Sequence, residues 1–214
     1  SDEPRLAMTP EIPPMPRAWQ TRSERPGDRV LEPTLGLLGM RRIPIVDRAS
    51  IRDRLWTSLA KVRRERGAQL VCLRGAAGYG KRTIAKWLAE RAHETAAARP
   101  IHFELDTQSS EPIVSGLRAH LRLDGLSIQE TWERLVDDFS RVGAARPSTA
   151  ERASQLLSSD ECKTFDVEER AAILGRVFAA LATAKPVLLV LPGIHESDAA
   201  LQFLERARAL PEFV

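Results

Sequence analysis

The chain has 214 residues, of which 43% are hydrophobic and 29% charged, a composition typical of a soluble globular protein and not of a chain that is disordered throughout. Its apolar runs fall short of the ~18 to 20 residues that a membrane span needs, and the two distant cysteines suggest neither a disulfide framework nor a zinc site. Basic and acidic residues are mixed, with a net charge of +3, and short pairs such as Arg41–Arg42 lack interleaved aromatics. We therefore expect a cytoplasmic protein with no membrane and no nucleic-acid partner.

The first 42 residues have the composition of a linker. Seven of the fourteen prolines lie within the first 33 residues, among Ser, Thr, Arg and Glu. Such a segment buries too little apolar surface to fold alone, so it predicts a largely disordered linker over residues 1–42 and a domain over residues 43–214. We expect the chain to be part of a larger protein whose other domains are its partners.

The domain begins with a helix and a strand. Ile51, Leu55, Leu59 and Val62 recur at helical spacing, which predicts a helix that ends near Gly67. The short apolar run Leu70–Leu73 is typical of a strand buried on both faces of a parallel sheet.

A glycine-rich turn separates this strand from a second helix. The spacing Gly75-x4-Gly80-Lys81 matches a phosphate-binding loop, in which glycines let backbone N–H groups face a phosphate and the lysine neutralises its charge. The predicted phosphate contacts are Gly75, Gly78, Gly80, Lys81, Arg82 and Thr83.

The rest of the chain alternates between strands and a long helical region. Residues 101–105 and 186–191 are predicted strands, a helix should span residues 197–210, and residues 212–214 would start another strand. Three Ser/Asp-x-x-Glu boxes predict helix N-termini within a helical region over residues 111–184. They are Ser127 with Glu130, Ser148 with Glu151, and Asp166 with Glu169.

The acidic half of an ATPase site is missing from the sequence. The strand at residues 186–191 is followed by Pro192–Gly193, where P-loop ATPases carry magnesium-binding and water-activating carboxylates. Arg82 replaces the Ser or Thr that would ligate magnesium, and arginine cannot bind a metal. We expect no catalytic residue and no metal site; Ser197 or Asp198 should cap the last helix, and Glu104 and Asp106 stay open as substitute acids.

Three segments resemble a known family. Ile43–Arg48, Leu73–Lys81 and Val187–Asp198 are similar to the origin-recognition-like AAA (STAND-type) ATPase module that follows the catalytic domain in large bacterial serine/threonine protein kinases. The resemblance covers about residues 40 to 214. It implies an α/β fold with a P-loop NTPase-like parallel sheet, helices on both faces, a helical insertion and a C-terminally incomplete sheet, with ATP or ADP as cofactor and Ile45 and Val46 near the base.

The sequence is compatible with three functions. The first is a degenerate ATP-binding regulatory module of a larger signalling protein, with weak, magnesium-independent nucleotide binding and weak or absent hydrolysis. The second is an active ATPase switch with non-standard magnesium coordination. The third is a nucleotide-free scaffold that binds a protein partner through the helical region around Trp132.

Overall fold

The computed structural model describes residues 13–20, 48–103, 111–144, 146–158 and 165–207. Within these ranges the chain is mixed α/β, with seven α-helices and one two-stranded parallel sheet. In chain order the elements are α1 (Ala49–Glu65), α2 (Lys81–Glu94), β1 (Arg99–His102), α3 (Pro112–Leu121), α4 (Ile128–Arg141), α5 (Pro147–Leu157), α6 (Val167–Leu181), β2 (Val187–Val190) and α7 (Asp198–Ala207). The mixed α/β class, the first two helices and the second and third strands are thereby confirmed.

Several predicted positions lie outside the described residues. They are Ile45 and Val46, the candidate acids Glu104 and Asp106, and the strand expected at residues 212–214.

The two strands pair in parallel and are covered by helices on both faces. Ile101 of β1 lies opposite Leu189 of β2. Side chains alternate between the faces of a strand, so Val187 and Leu189 pack on the main core while Leu188 packs on a second cluster with α1 and α2. The sheet thus separates two hydrophobic cores.

The strand expected at Leu70–Leu73 is not formed. These residues have no regular secondary structure, and the side chains of Leu70 and Val71 are 58% and 47% exposed. A buried parallel strand needs neighbours that accept its hydrogen bonds. Among the described residues β1 and β2 pair only with each other, so the apolar run has no strand beside it.

The main core is built from the helical region and the inner face of the sheet. The helices from α3 through α7 all contribute to it, and they pack around fully buried side chains such as Leu117, Leu135 and Phe139. Helix α3 approaches the end of β1 closely at Gly116, where a Cβ atom would lie 2.1 Å from Cδ1 of Phe103. Glycine is required there by space, because any side chain would overlap the ring.

Two of the three predicted capping boxes are confirmed. Ser127 with Glu130 caps α4, and Asp166 with Glu169 caps α6, each with reciprocal side-chain and backbone hydrogen bonds. The prediction that Ser148 caps a helix is wrong, because α5 begins at Pro147 and its N-cap is Arg146, two residues before the predicted cap. Proline favours the first helical position since it has no N–H to leave unpaired, which places Ser148 inside the helix.

Residues 13–20 of the predicted linker pack against the domain. Trp19 is only 5% exposed and belongs to the same cluster as Leu55, Trp56 and Leu88 of α1 and α2. The proline-rich composition did not predict this contact. The boundary at residue 42 remains a prediction from sequence, but the folded unit includes at least this upstream segment.

Candidate phosphate-binding loop

The glycine-rich turn leads directly into α2. Gly78 and Gly80 have φ values of 79° and 75°, in the left-handed region, and Gly80 is the N-cap of the helix. Alternation of such left-handed residues with right-handed ones turns successive N–H groups toward one side of the chain, which is how a backbone forms an anion-binding nest. A Cβ on either glycine would meet nothing within 4 Å, so the glycines are needed here for conformation and not for space.

The N-terminus of α2 is open. The first intrahelical bond runs from the Ile84 amide to the Gly80 carbonyl at 3.0 Å, and Gly80 has no side chain to cap the turn. The amides of residues 81–83 precede that bond and have no intrahelical acceptor. Together with the positive end of the helix dipole, they favour a bound anion at this point.

Lys81 folds back over the loop. Its Nζ donates to the carbonyl oxygens of Gly75 at 2.6 Å and Ala76 at 2.7 Å. An ammonium group has three donors, so these two bonds hold the charge over the turn and leave one donor for a ligand. The sequence predicted the lysine as a phosphate contact; it did not predict the two backbone acceptors, because carbonyl oxygens leave no residue-type signal.

Arg82 and Thr83 lie on the first turn of α2 with exposed side chains. Successive helical residues are rotated by about 100° from each other, so these two side chains leave the helix in different directions. Six of the eight predicted residues thus lie in one segment, formed by the glycine turn and the first turn of α2, with the side chains of Arg82 and Thr83 exposed. The six are Gly75, Gly78, Gly80, Lys81, Arg82 and Thr83.

The segment after β2 has no carboxylate at the strand tip. Leu191, Pro192 and Gly193 follow the strand, and a one-turn 3-10 helix, Ile194–Glu196, comes next. The side chains of His195 and Glu196 are 80% and 58% exposed and lie 3.6 Å apart. They contact each other in solvent, which is the expected surface arrangement of a histidine beside an acid.

Ser197 has the capping role that its position predicts. It is buried, and its Oγ accepts from the Ala200 amide at 3.3 Å at the start of α7. Among the residues that the structure describes, no three His, Cys, Asp or Glu side chains are grouped closely enough to hold a metal ion.

Trp132, the residue expected to dock a partner, is half-buried on α4 and packs against the main core together with Val136 and Leu126. It contributes to packing and leaves part of its ring at the surface. In the described ranges, no helix is both long enough and apolar enough to cross a membrane.

A cavity of about 240 Å³ lies between α3, α6 and α7 and contains none of the predicted site residues. Arg170 and Glu111 form an ion pair of 2.5 Å at its wall. Burial raises the pKa of Glu111, while the Arg170 charge opposes that rise. The pair joins α6 to the start of α3, and Gln202 and Arg206 of α7 supply further polar lining.

Comparison of the chain with protein-family models, with curated proteins and with solved structures finds no significant match.

Proposed function

We propose that the chain is a degenerate P-loop module that binds the phosphates of ATP or ADP and has weak or absent hydrolysis. The observation that carries the proposal is the arrangement at the start of α2. Two left-handed glycines, an uncapped helix N-terminus and the Lys81 ammonium, 2.6 Å from the Gly75 carbonyl, converge on one short loop. Each of these three groups favours an anion.

The proposed phosphate contacts are backbone amides and one cation. The amides of Lys81, Arg82 and Thr83 would donate to the phosphate, and Lys81 would use its remaining donor. The exposed guanidinium of Arg82 stands where a magnesium ligand would, and it would supply positive charge in place of the metal. Binding that is indifferent to magnesium follows from this substitution.

Weak or absent hydrolysis follows from the residues after β2. Attack on the γ-phosphate needs a metal to neutralise developing charge and a residue that orients the water. Leu191, Pro192 and Gly193 after β2 carry neither function. An active ATPase switch would need acids from another source.

The cellular role is proposed from the resemblance described above. It is that of a regulatory module in a larger signalling protein associated with a serine/threonine protein kinase, with the other domains of that protein as partners. A change in the loop on nucleotide binding would be transmitted through α2 to both α1 and the sheet, which it contacts.

Calorimetric titration of ATP and ADP into the chain tests this function. Lys81→Ala should weaken binding at least about tenfold, because a charge-assisted hydrogen bond contributes about 1.5 to 3 kcal/mol. Lys86→Ala is the matched control, since Lys86 lies on the same helix and pairs only loosely with Glu90 at 3.9 Å. Equal affinity of the two variants would refute the proposed site, and no binding by wild type would favour a scaffold.

A protein-interaction function is the second candidate, and one observation favours it. Leu70 and Val71 expose 58% and 47% of their surfaces just before the loop. Consecutive exposed apolar side chains are a feature of contact surfaces. This function and nucleotide binding are compatible, because the two surfaces are different.

A further inference from the structure

Residues 13–20 lie along α1 in the opposite direction to the helix. The Pro13 carbonyl accepts from Arg63 at 2.6 Å, the Pro16 carbonyl accepts from the Trp56 indole at 3.1 Å, and the Trp19 indole donates to Asp53 at 2.6 Å. From position 63 to position 52 the helix rises about 16 Å. Six residues of fully extended polyproline II would cover about 19 Å, and the segment, which is irregular at residues 13–16 and bends at residues 17–19, spans a comparable length along the helix.

The segment is held by α2 as well as by α1. The Trp19 carbonyl accepts from Nε of Arg91 at 2.5 Å, and the Trp19 ring meets Trp87 edge to face at a centroid distance of 5.3 Å. The guanidinium of Arg52 lies 4.1 Å from the centre of the same ring. Trp19 thus occupies a position between two helices, where it is only 5% exposed.

The groove has the chemistry of a peptide-recognition surface. Trp56 and Trp87 supply aromatic walls, Arg52 and Arg91 supply cations, and three donors meet backbone carbonyls of the segment. Proline-rich peptides bind to aromatic-lined grooves in this manner, because a polyproline II segment loses little entropy and presents its carbonyls outward. The side chain that anchors the segment is the buried Trp19; Met15 also packs against the same cluster, and the other contacts of the segment are made by backbone carbonyls.

We propose that the groove between α1 and α2 is a binding site for a proline-rich peptide with a tryptophan anchor, and that residues 13–20 of this chain are its resident ligand, bound in cis. The site is separate from the glycine loop, since its contacts on α2 begin at Trp87, six residues after Lys81. The inference therefore does not depend on nucleotide binding. It assigns a recognition function to a segment whose composition is that of a linker.

Limited trypsin digestion of the full chain measures the docking. Arg17 is exposed but lies between the Pro16 and Trp19 contacts, and a protease must pull the flanking residues away to cleave after it. We expect cleavage after Arg17, followed by mass spectrometry, to be at least about tenfold slower in the chain than in a synthetic peptide of residues 13–20. Equal rates would overturn the proposal, and protection that is lost on dilution would overturn binding in cis in favour of exchange between copies.

A second experiment substitutes the anchor residue, Trp19. Trp19→Ala should raise the rate of cleavage after Arg17 about tenfold. It should also leave the groove empty, so that an added peptide of residues 13–20 binds saturably to the variant. The same peptide with Trp19→Ala should not bind. Trp132→Ala removes a tryptophan from the other core and should leave cleavage after Arg17 unchanged. If Trp19→Ala does not fold, Arg63→Met removes the outer anchor to Pro13, together with a longer bond of 3.4 Å to the Ala96 carbonyl, and should still accelerate cleavage. Unchanged cleavage in a folded anchor variant would refute the docking role.

Discussion

At the scale of single residues, the loop depends on backbone conformation. Gly78 and Gly80 hold φ values near +75°, and the Lys81 ammonium is bonded to carbonyls of the same turn. The residue types and their spacing predicted a glycine turn that leads into a helix with a lysine at its start, because glycine is the residue that a left-handed turn requires; phosphate binding at this turn stays a prediction. The folding back of Lys81 onto Gly75 and Ala76 was not predictable, since every residue has a carbonyl and sequence does not say which one lies near.

Gly80→Ala tests the conformational requirement. Alanine in the left-handed region costs about 1 to 2 kcal/mol, and the open space around Gly80 means that no clash adds to it. We expect the free energy of unfolding, measured in urea, to fall by about 1 kcal/mol.

Gly67→Ala is the control for this substitution. Gly67 has no neighbour within 4 Å of an added Cβ and no left-handed φ. The change should be neutral or slightly stabilising, because alanine restricts the unfolded chain. An equal loss at Gly67 and Gly80 would contradict the conformation described for the loop.

At the scale of elements, local signals predicted helices better than they predicted strands. A capping box is a contact within four residues, so Ser127 and Asp166 were recognisable from sequence, and both cap their helices. Ser148 carries the same pattern, but Pro147 occupies the first position of α5, so that Ser148 lies inside the helix and does not cap it. A strand, in contrast, forms only beside a second strand that accepts its hydrogen bonds. The run Leu70–Leu73 is as apolar as β2, but among the described residues it has no strand beside it.

Two serine substitutions separate a cap from a helix-interior serine. Ser127→Ala should lower the free energy of unfolding by about 1 kcal/mol, because the Glu130 amide loses its acceptor. Ser148→Ala should change it by less than about 0.5 kcal/mol, since Ser148 lies inside α5 and is exposed. Urea unfolding of both variants is the measurement, and a larger loss at Ser148 would place the start of α5 elsewhere.

At the scale of the whole molecule, two cores meet at a two-stranded sheet. The main core contains the helical region, and the second core contains α1, α2 and Trp19. The helical region and the parallel pairing were predictable, because they follow from periodicity and element order. The packing of residues 13–20 was not predictable, since it rests on four hydrogen bonds and one buried tryptophan within a segment of linker composition.

The small sheet makes a prediction about Leu70. Because Leu70 is exposed and lies outside the sheet, Leu70→Ser should change the free energy of unfolding by less than about 0.5 kcal/mol. Ile101→Ser, in the fully buried β1 position, should cost more than about 2 kcal/mol through lost burial and an unpaired hydroxyl. A large loss at Leu70, seen in thermal or urea unfolding, would mean that the run is a buried strand after all.

The central claim is that the loop binds nucleotide phosphates without magnesium, and the most direct measurement is the dissociation constant of ADP with magnesium and with EDTA. In the proposed phosphate-binding loop, Arg82 takes the position of the magnesium-binding Ser or Thr, and residues 191–193 carry no carboxylate. We therefore predict the same dissociation constant, within about twofold, in both buffers. Affinity that falls tenfold or more in EDTA, or no binding in either buffer, would contradict the claim.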